Sequence, residues 1–199
     1  MAVPIILASG SETRADMLRR ARVPFEIAIP RIDEEAVRRA LEAEGAKPRD
    51  VADALAELKA RRIAEKRPEA VVIGSDQVLD LNGEVLSKPE TPEEAVIQLA
   101  RMQGKRHMLL SAAVVIENGQ VVWRHVGQVR IRMRDLTPAF IESYVNRNWE
   151  SIRYSVGGYK IEEEGVRLFS SIEGDLFTIL GMPLIELLNY FVLRGLTET

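Results

Sequence analysis

One carboxylate stands where an apolar run should surface: Asp76 closes Val71-Val72-Ile73-Gly74-Ser75-Asp76. Open α/β sheets place chemistry at the carboxyl ends of their strands. The chain continues through Gln77 to Leu81, turns at Asn82-Gly83, and returns as Glu84-Val85-Leu86 before reaching Lys88. Asn-Gly between apolar arms is a hairpin signal. An acid on one arm and a cation just beyond the other suit a metal-bound or phosphate-bearing ligand. A surface turn with incidental charges accounts for this segment equally well.

Further cations and hydroxyls occupy positions of the same kind. Ser9-Gly10-Ser11 links an apolar strand to a helix that carries Arg14, so hydroxyls, backbone N–H groups and a guanidinium gather near a helix N-terminus. The spaced glycines and Gly-Lys-Ser/Thr ending of a Walker loop are absent, and an ordinary strand–helix turn remains open. Lys59 lies four residues from both Leu55 and Ile63, on the edge of an apolar stripe. It reads either as a cation of the site or as a lysine whose stem covers apolar surface while its amine stays wet. Asp33, Glu34 and Glu35, together with Asp76, could supply oxygen ligands to a hard divalent ion, although acids at a helix start also satisfy the helix dipole. In Ser151–Glu164, the pair Gly157-Gly158 beside Tyr159 and Lys160 lets a flat ligand approach the backbone, or simply makes a tight turn.

Composition removes several rival chemistries. There is no cysteine, which excludes disulfides, thiolate zinc sites and cysteine nucleophiles. His107 and His125 are the two imidazoles; both fall in strand-like segments, where a hydrogen-bonded structural role is the simpler one. A net charge of −3 provides no general attraction for nucleic acid. The apolar run Ala2–Ala8 is too short for a membrane span and lacks the charged start of a signal peptide, so the expectation is a cytoplasmic protein without membrane association.

The elements that must position these groups follow from periodicity. Strands are expected at Val3–Ala8, Phe25–Ile29, Val71–Leu81, Glu84–Leu86, His107–Ile116, Val121–Arg134 and Val166–Ile172. Helices are expected after Ser11, from Asp33 toward Gly45, from Asp50 to about Lys66, at Pro92–Met102, from Thr137-Pro138 onward, and from Pro183 to about Arg194. Asn118-Gly119 signals a second hairpin. Mixed strands, hairpins and helices point to an α/β chain with a mixed sheet. With 199 residues and no long linker, one large domain or two closely joined lobes fit.

Taken together, Ile6–Arg14, Ile32–Glu35, Ala56–Ala60, Gly74–Gln77, Asn82–Pro89 and Gly181–Leu184 resemble the Maf family of nucleotide pyrophosphatases, in the family's order along nearly the whole chain. The resemblance implies one domain over residues 1–199. It also implies an elongated mixed sheet with flanking helices, in two lobes around a cleft, similar to inosine triphosphatases. The implied reaction hydrolyses a nucleoside triphosphate between its α and β phosphates, with a divalent metal (Mg2+ or Mn2+), as house-cleaning of modified nucleotides. Asp76 matches the family's general base; Ser11, Arg14, Lys59 and Lys88 match its substrate-binding residues; Asp33, with Glu34 close by, matches the acid that helps Asp76 hold metal or substrate. A homodimer is compatible with the resemblance.

Two departures bear on the base. Ser11-Glu12-Thr13-Arg14 has Thr13 where the dTTP/UTP branch carries Arg and the 7-methyl-GTP branch commonly carries Trp, while Gly74-Ser75-Asp76-Gln77 is more similar to the latter branch. Glu162, in a late loop with extra acids, is the third candidate specificity position beside Thr13 and Gln77. Two other readings stay open: a sugar-nucleotide nucleotidyltransferase, echoed by the Thr13-Arg14 loop and Lys88-Pro89, and a division-linked regulatory binding protein.

Overall fold

The computed structural model describes residues 3–198. Its sheet has seven strands: β1 (Ile5–Ala8), β2 (Glu26–Ile27), β3 (Val71–Leu81), β4 (Glu84–Leu86), β5 (Arg106–Glu117), β6 (Gln120–Met133) and β7 (Phe169–Glu173). The order is β2-β1-β3-β5-β6-β7, with β4 paired to β3. Pairing is parallel for β1 with β2 and with β3, and antiparallel for β3 with β4 and β6 with β7. The expected mixed α/β architecture is therefore the one observed. The helices are α1 (Glu12–Arg20), α2 (Glu34–Ala43), α3 (Pro48–Ala64), α4 (Pro92–Met102), α5 (Pro138–Ile152), α6 (Leu176–Ile179) and α7 (Leu184–Leu193). Among the described residues no helix is long and apolar enough to cross a membrane.

The chain forms two compact units. The first comprises residues up to Gln77, Leu110–Gly127 and Leu176 onward; the second comprises Val78–Leu109 and Gln128–Asp175. In the first, strand alternation sorts side chains to two faces. Ile5, Leu7, Val71, Ile73, Ala113 and Val115 all enter one buried cluster with Leu18 of α1 and Leu187 and Phe191 of α7. Residues of the opposite parity, such as Gly74, meet α3: a Cβ on Gly74 would lie 2.0 Å from the carbonyl oxygen of Ala56 and 2.7 Å from the amide nitrogen of Ala60. Only glycine lets the helix backbone lie this close to the strand, and Lys59 sits between those two alanines.

In the second unit, α4 packs on α5, and His107, Tyr159 and Phe169 form a buried aromatic group. His107 Nε2 meets the Tyr159 hydroxyl at 2.8 Å, as a structural histidine should, and burial lowers the imidazole pKa to about 4. The Asn82-Gly83 and Asn118-Gly119 turns both have positive φ at each residue, the combination a two-residue hairpin loop requires.

Several boundaries differ from expectation. β2 holds two residues rather than Phe25–Ile29, because Pro30 has no N–H with which to extend the ladder. The strand expected from Val166 starts at Phe169; Glu164–Leu168 winds as a 3-10 turn, with Glu164 tied to Arg147 and Asn148 of α5. α3 begins at Pro48, where a proline at the first helical position loses no hydrogen bond. The short α6 was not anticipated.

Candidate active site

β1 ends at Ala8, and the loop that follows folds on its own hydroxyls. The Ser11 amide donates to Ser9 Oγ at 3.1 Å, and Ser11 Oγ caps α1 by accepting from the Arg14 amide at 3.4 Å. This local closure starts the helix one residue after Ser11 and sends Arg14 back over the loop. Arg14 Nη1 donates to Ser9 Oγ at 3.3 Å and Nε to the carbonyl of Gly181 at 2.8 Å. Thr13, beside it in the first turn of α1, is half-buried.

Asp76 faces α3. Lys59 Nζ lies 2.6 Å from Asp76 Oδ1 and 2.9 Å from Glu34 Oε2, with the lysine 5% and the aspartate 6% exposed. The lysine is therefore itself buried and joins the buried Asp76 carboxylate to the exposed Glu34 carboxylate, so its role as a mere cover of apolar surface is excluded. Desolvation dominates the Asp76 carboxyl and raises its pKa, against the lowering pull of Lys59 and Arg14 and with a smaller raising contribution from Glu34. Burial likewise lowers the Arg14 pKa, opposed by the fields of Asp76 and Glu34. Such a carboxylate is a stronger base than an exposed one, held by cations that also suit phosphate oxygens.

Of the acids at the start of α2, Asp33 is occupied otherwise. Its Oδ1 accepts from the Ala36 amide at 3.0 Å as the helix N-cap, while Glu34, one residue on, reaches Lys59. Glu35 is held by Arg38 and Arg39. Among the described residues no three His, Asp or Glu side chains gather as a ready-made metal site. The pair Asp76 and Glu34 nevertheless aims two hard oxygen donors at one cation. That donor set fits Mg2+, which takes one or two carboxylates and completes its shell with water and phosphate oxygens.

On the other face of β3, Ser75 donates to the Gly181 carbonyl at 3.0 Å. Gln77 Nε2 has three acceptors: Ser111 Oγ at 3.0 Å, the Thr178 carbonyl at 3.1 Å and the Ile179 carbonyl at 2.9 Å. With its amide hydrogens turned to these groups, Gln77 can offer a ligand only its oxygen.

Lys88 and Glu162 belong to the second unit. Lys88 is exposed just after β4. Glu162 is exposed too, whereas its neighbours are engaged: Glu163 with Ser151 and Lys160, Glu164 with Arg147, Asn148 and Arg167. Sequence reasoning named Ser11, Arg14, Lys59 and Asp76, which one unit gathers. It placed Ser9 with Arg14 in the first loop, left Glu34 behind Asp33, and missed Ser75 and Ser111 as partners.

A family model described as "Maf-like protein" matches residues 4–192. The chain belongs to the Maf-like family. It is 63% identical over 199 residues to a "Nucleoside triphosphate pyrophosphatase" of Ruegeria pomeroyi, covering 100% of both chains, and 57% identical to a Ruegeria sp. protein of the same name, again over 100% of both. It is 46% identical to a "7-methyl-GTP pyrophosphatase" of Brucella abortus, covering 94% of each. Among solved structures, the Staphylococcus aureus Ham1 protein aligns at 18% identity with a TM-score of 0.45, over 66% of this chain and 72% of that one. The Maf-like match spans residues of both compact units, so the family relation concerns the whole arrangement and not the cluster around Asp76 alone.

Proposed function

We propose that this chain is a nucleoside triphosphate pyrophosphatase that cleaves between the α and β phosphates, with Asp76 as general base. The observation that carries the assignment of the base is the buried Asp76 carboxylate, held by Lys59 and within the field of Arg14 in a Maf-like chain. Lys59 holds Asp76 Oδ1, and the second carboxylate oxygen takes a proton from water as that water's oxygen bonds to the α phosphorus. The bond from the α phosphorus to the bridging oxygen breaks, and pyrophosphate leaves with the electron pair. Base catalysis of this kind supplies about 10²–10⁴-fold.

Arg14, Ser11 and the amides of the first loop bind phosphate oxygens; Lys88 is a substrate-binding candidate by its match to the family motif. Arg14 and Lys59 balance charge that develops on the leaving pyrophosphate. Asp76 and Glu34 are the residues that would hold a divalent ion; when bound, it supplies charge neutralisation of the phosphates and acidifies a water. Asp33 supports this site from the N-cap of the helix that presents Glu34.

For the base, the reading is a modified nucleotide of the 7-methyl-GTP kind. The Brucella relative's name and Gln77 support it, and a Gln77 oxygen suits a base edge that presents N–H donors. Thr13 cannot stack on a cationic base as an aromatic residue would, so selection falls to Gln77 and to Glu162, whose acid favours positive charge. The protein is expected to work in the cytoplasm, and a homodimer is compatible with the family resemblance.

The test is incubation with 7-methyl-GTP, GTP, dTTP, UTP and CTP, each under Mg2+ and Mn2+, with nucleotides separated by ion exchange. Monophosphate and pyrophosphate, formed without added sugar phosphate, are expected, with 7-methyl-GTP leading. Diphosphate with inorganic phosphate, or no turnover of any triphosphate, rejects the reading.

A further inference from the structure

The turn that leads from α6 to α7 is bound by more side chains than a connection between two helices requires. It closes on itself through the Gly181 amide to the Thr178 carbonyl at 3.2 Å and the Met182 amide to the Phe177 carbonyl at 3.2 Å. Its outward carbonyls then take donors from β3, β5 and α1. The Thr178 carbonyl receives Ser111 Oγ at 2.7 Å and Gln77 Nε2 at 3.1 Å, and the Ile179 carbonyl receives Gln77 Nε2 at 2.9 Å. The Gly181 carbonyl receives Ser75 Oγ at 3.0 Å and Arg14 Nε at 2.8 Å. Ser75 and Ser111 are wholly buried, so neither can touch a ligand from solvent.

We propose that the 178–181 turn is the positioning element of Arg14. The Gly181 carbonyl fixes the plane of the guanidinium; Ser75 holds that carbonyl directly, and Gln77 and Ser111 hold the turn that presents it through the Thr178 and Ile179 carbonyls. The inference rests on Arg14 being a phosphate-binding residue, as argued above. Residue 181 has φ +107, which side-chain-bearing residues rarely adopt, and a Cβ there would stand 3.3 Å from both Nε and Nη2 of Arg14. Glycine is thus favoured by the backbone, and a Cβ there would also displace the arginine lying against it by a few tenths of an ångström. A long arginine side chain left to itself samples many rotamers; one held at Nε keeps its donors aimed where a phosphate arrives. The sequence Gly74-Ser75-Asp76-Gln77 then has one residue for each duty. Gly74 admits α3, Ser75 and Gln77 hold the turn on one face, and Asp76 meets Lys59 on the other.

A double-mutant cycle tests this, with inorganic tripolyphosphate as the probe, calorimetry for its affinity and thermal melting for integrity. Gly181→Ala and Ser75→Ala are expected to melt cooperatively and to bind tripolyphosphate about tenfold more weakly, with Arg14→Lys weakened at least as much. Each pair with Arg14→Lys should bind no more than about twofold more weakly than Arg14→Lys alone, because the turn acts through that side chain. Effects that multiply, or unchanged affinity in both turn variants, overturn the inference while leaving the pyrophosphatase reading intact. Wild-type affinity in Arg14→Lys sinks both. Should Gly181→Ala fail to fold, the Ser75→Ala cycle decides alone, since it removes one hydroxyl and leaves the backbone unchanged.

Discussion

Two clusters of acids and bases in this molecule are built from the same residue types and behave in opposite ways. In the second unit, Glu164 is held by Arg147 at 2.7 Å and by Asn148 at 2.8 Å, and these partners, Arg147 first, depress its pKa to about 2. In the first unit, Asp76 has Lys59 at 2.6 Å and the field of Arg14, yet its pKa rises because desolvation outweighs both cations. Glu164 keeps part of its side chain at the surface while arginine adds to its stabilisation; burial of Asp76 costs more than a close lysine returns. Proximity of opposite charges therefore says little about chemical use. Burial decides which acid is poised to take a proton.

The largest effect expected from this contrast is on turnover. Asp76→Asn should lower kcat for pyrophosphate release by about 10³-fold or more while melting cooperatively, and Glu164→Gln should stay within about twofold of wild type. Steady-state assays on both variants at one pH check the pair. Near-normal turnover in a folded Asp76→Asn protein removes the base from this site.

Next come the two lysines. Lys59→Met removes the cation that lowers the Asp76 pKa, so the acid limb of the pH–rate profile should move to higher pH, with kcat/KM down by about 10²-fold. Lys160→Met, which loses contacts with Ser151 and Glu163 in the second unit, should change stability by less than about 1 kcal/mol and leave the profile in place. An acid limb that does not move in Lys59→Met would show that Asp76 is not the titrating base.

Much of this arrangement was readable in the chain. Asn82-Gly83 and Asn118-Gly119 located both hairpins because a two-residue loop needs positive φ, a local demand with few solutions. Arg14 stood out because it follows an apolar strand, and Asp76 as the first acid in an apolar run; the run does not surface there, however, since β3 continues through Asp76 to Leu81 and leaves the carboxylate buried in mid-strand. Lys59 was legible as a position but not as a state: helical spacing puts it on a buried edge, but only the close approach at Gly74 shows that its amine stays inside. Asp33 against Glu34 turns on a single residue of register, which local signals leave undetermined, since either acid can cap a helix. Ser111 and the 178–181 turn are far from Gln77 in sequence, and their joint role depends on long-range folding that no spacing encodes.

A smaller effect separates the two units through proton linkage. The raised pKa of Asp76 means the folded state binds its proton more tightly than the unfolded chain does. Asp76 therefore subtracts stability as pH rises through its folded pKa. His107 runs the other way: lowered to about 4 by burial, it contributes stability above the ordinary imidazole value of about 6.5, lost as pH falls from there through its folded value. Thermal melts between about pH 7 and pH 4 should show wild type losing more stability on acidification than His107→Gln, whose side chain does not titrate. Parallel losses in the two proteins would mean that His107 is not held neutral.

The smallest effect expected is also the most selective. Glu162 is exposed, while Glu163 and Glu164 beside it are tied down by Ser151, Lys160, Arg147 and Asn148. A solvated carboxylate of this kind contributes little to folding, so Glu162→Gln should melt within about 0.5 kcal/mol of wild type. If Glu162 reads the charge of a methylated base, the same change should narrow the ratio of kcat/KM for 7-methyl-GTP over GTP by about three- to tenfold, without altering the rate on GTP. The preference should also weaken as salt is raised in wild type and stay flat in Glu162→Gln, because screening acts only on the charge that the variant lacks. A ratio that holds constant through both changes assigns base selection to Gln77 and its fixed amide.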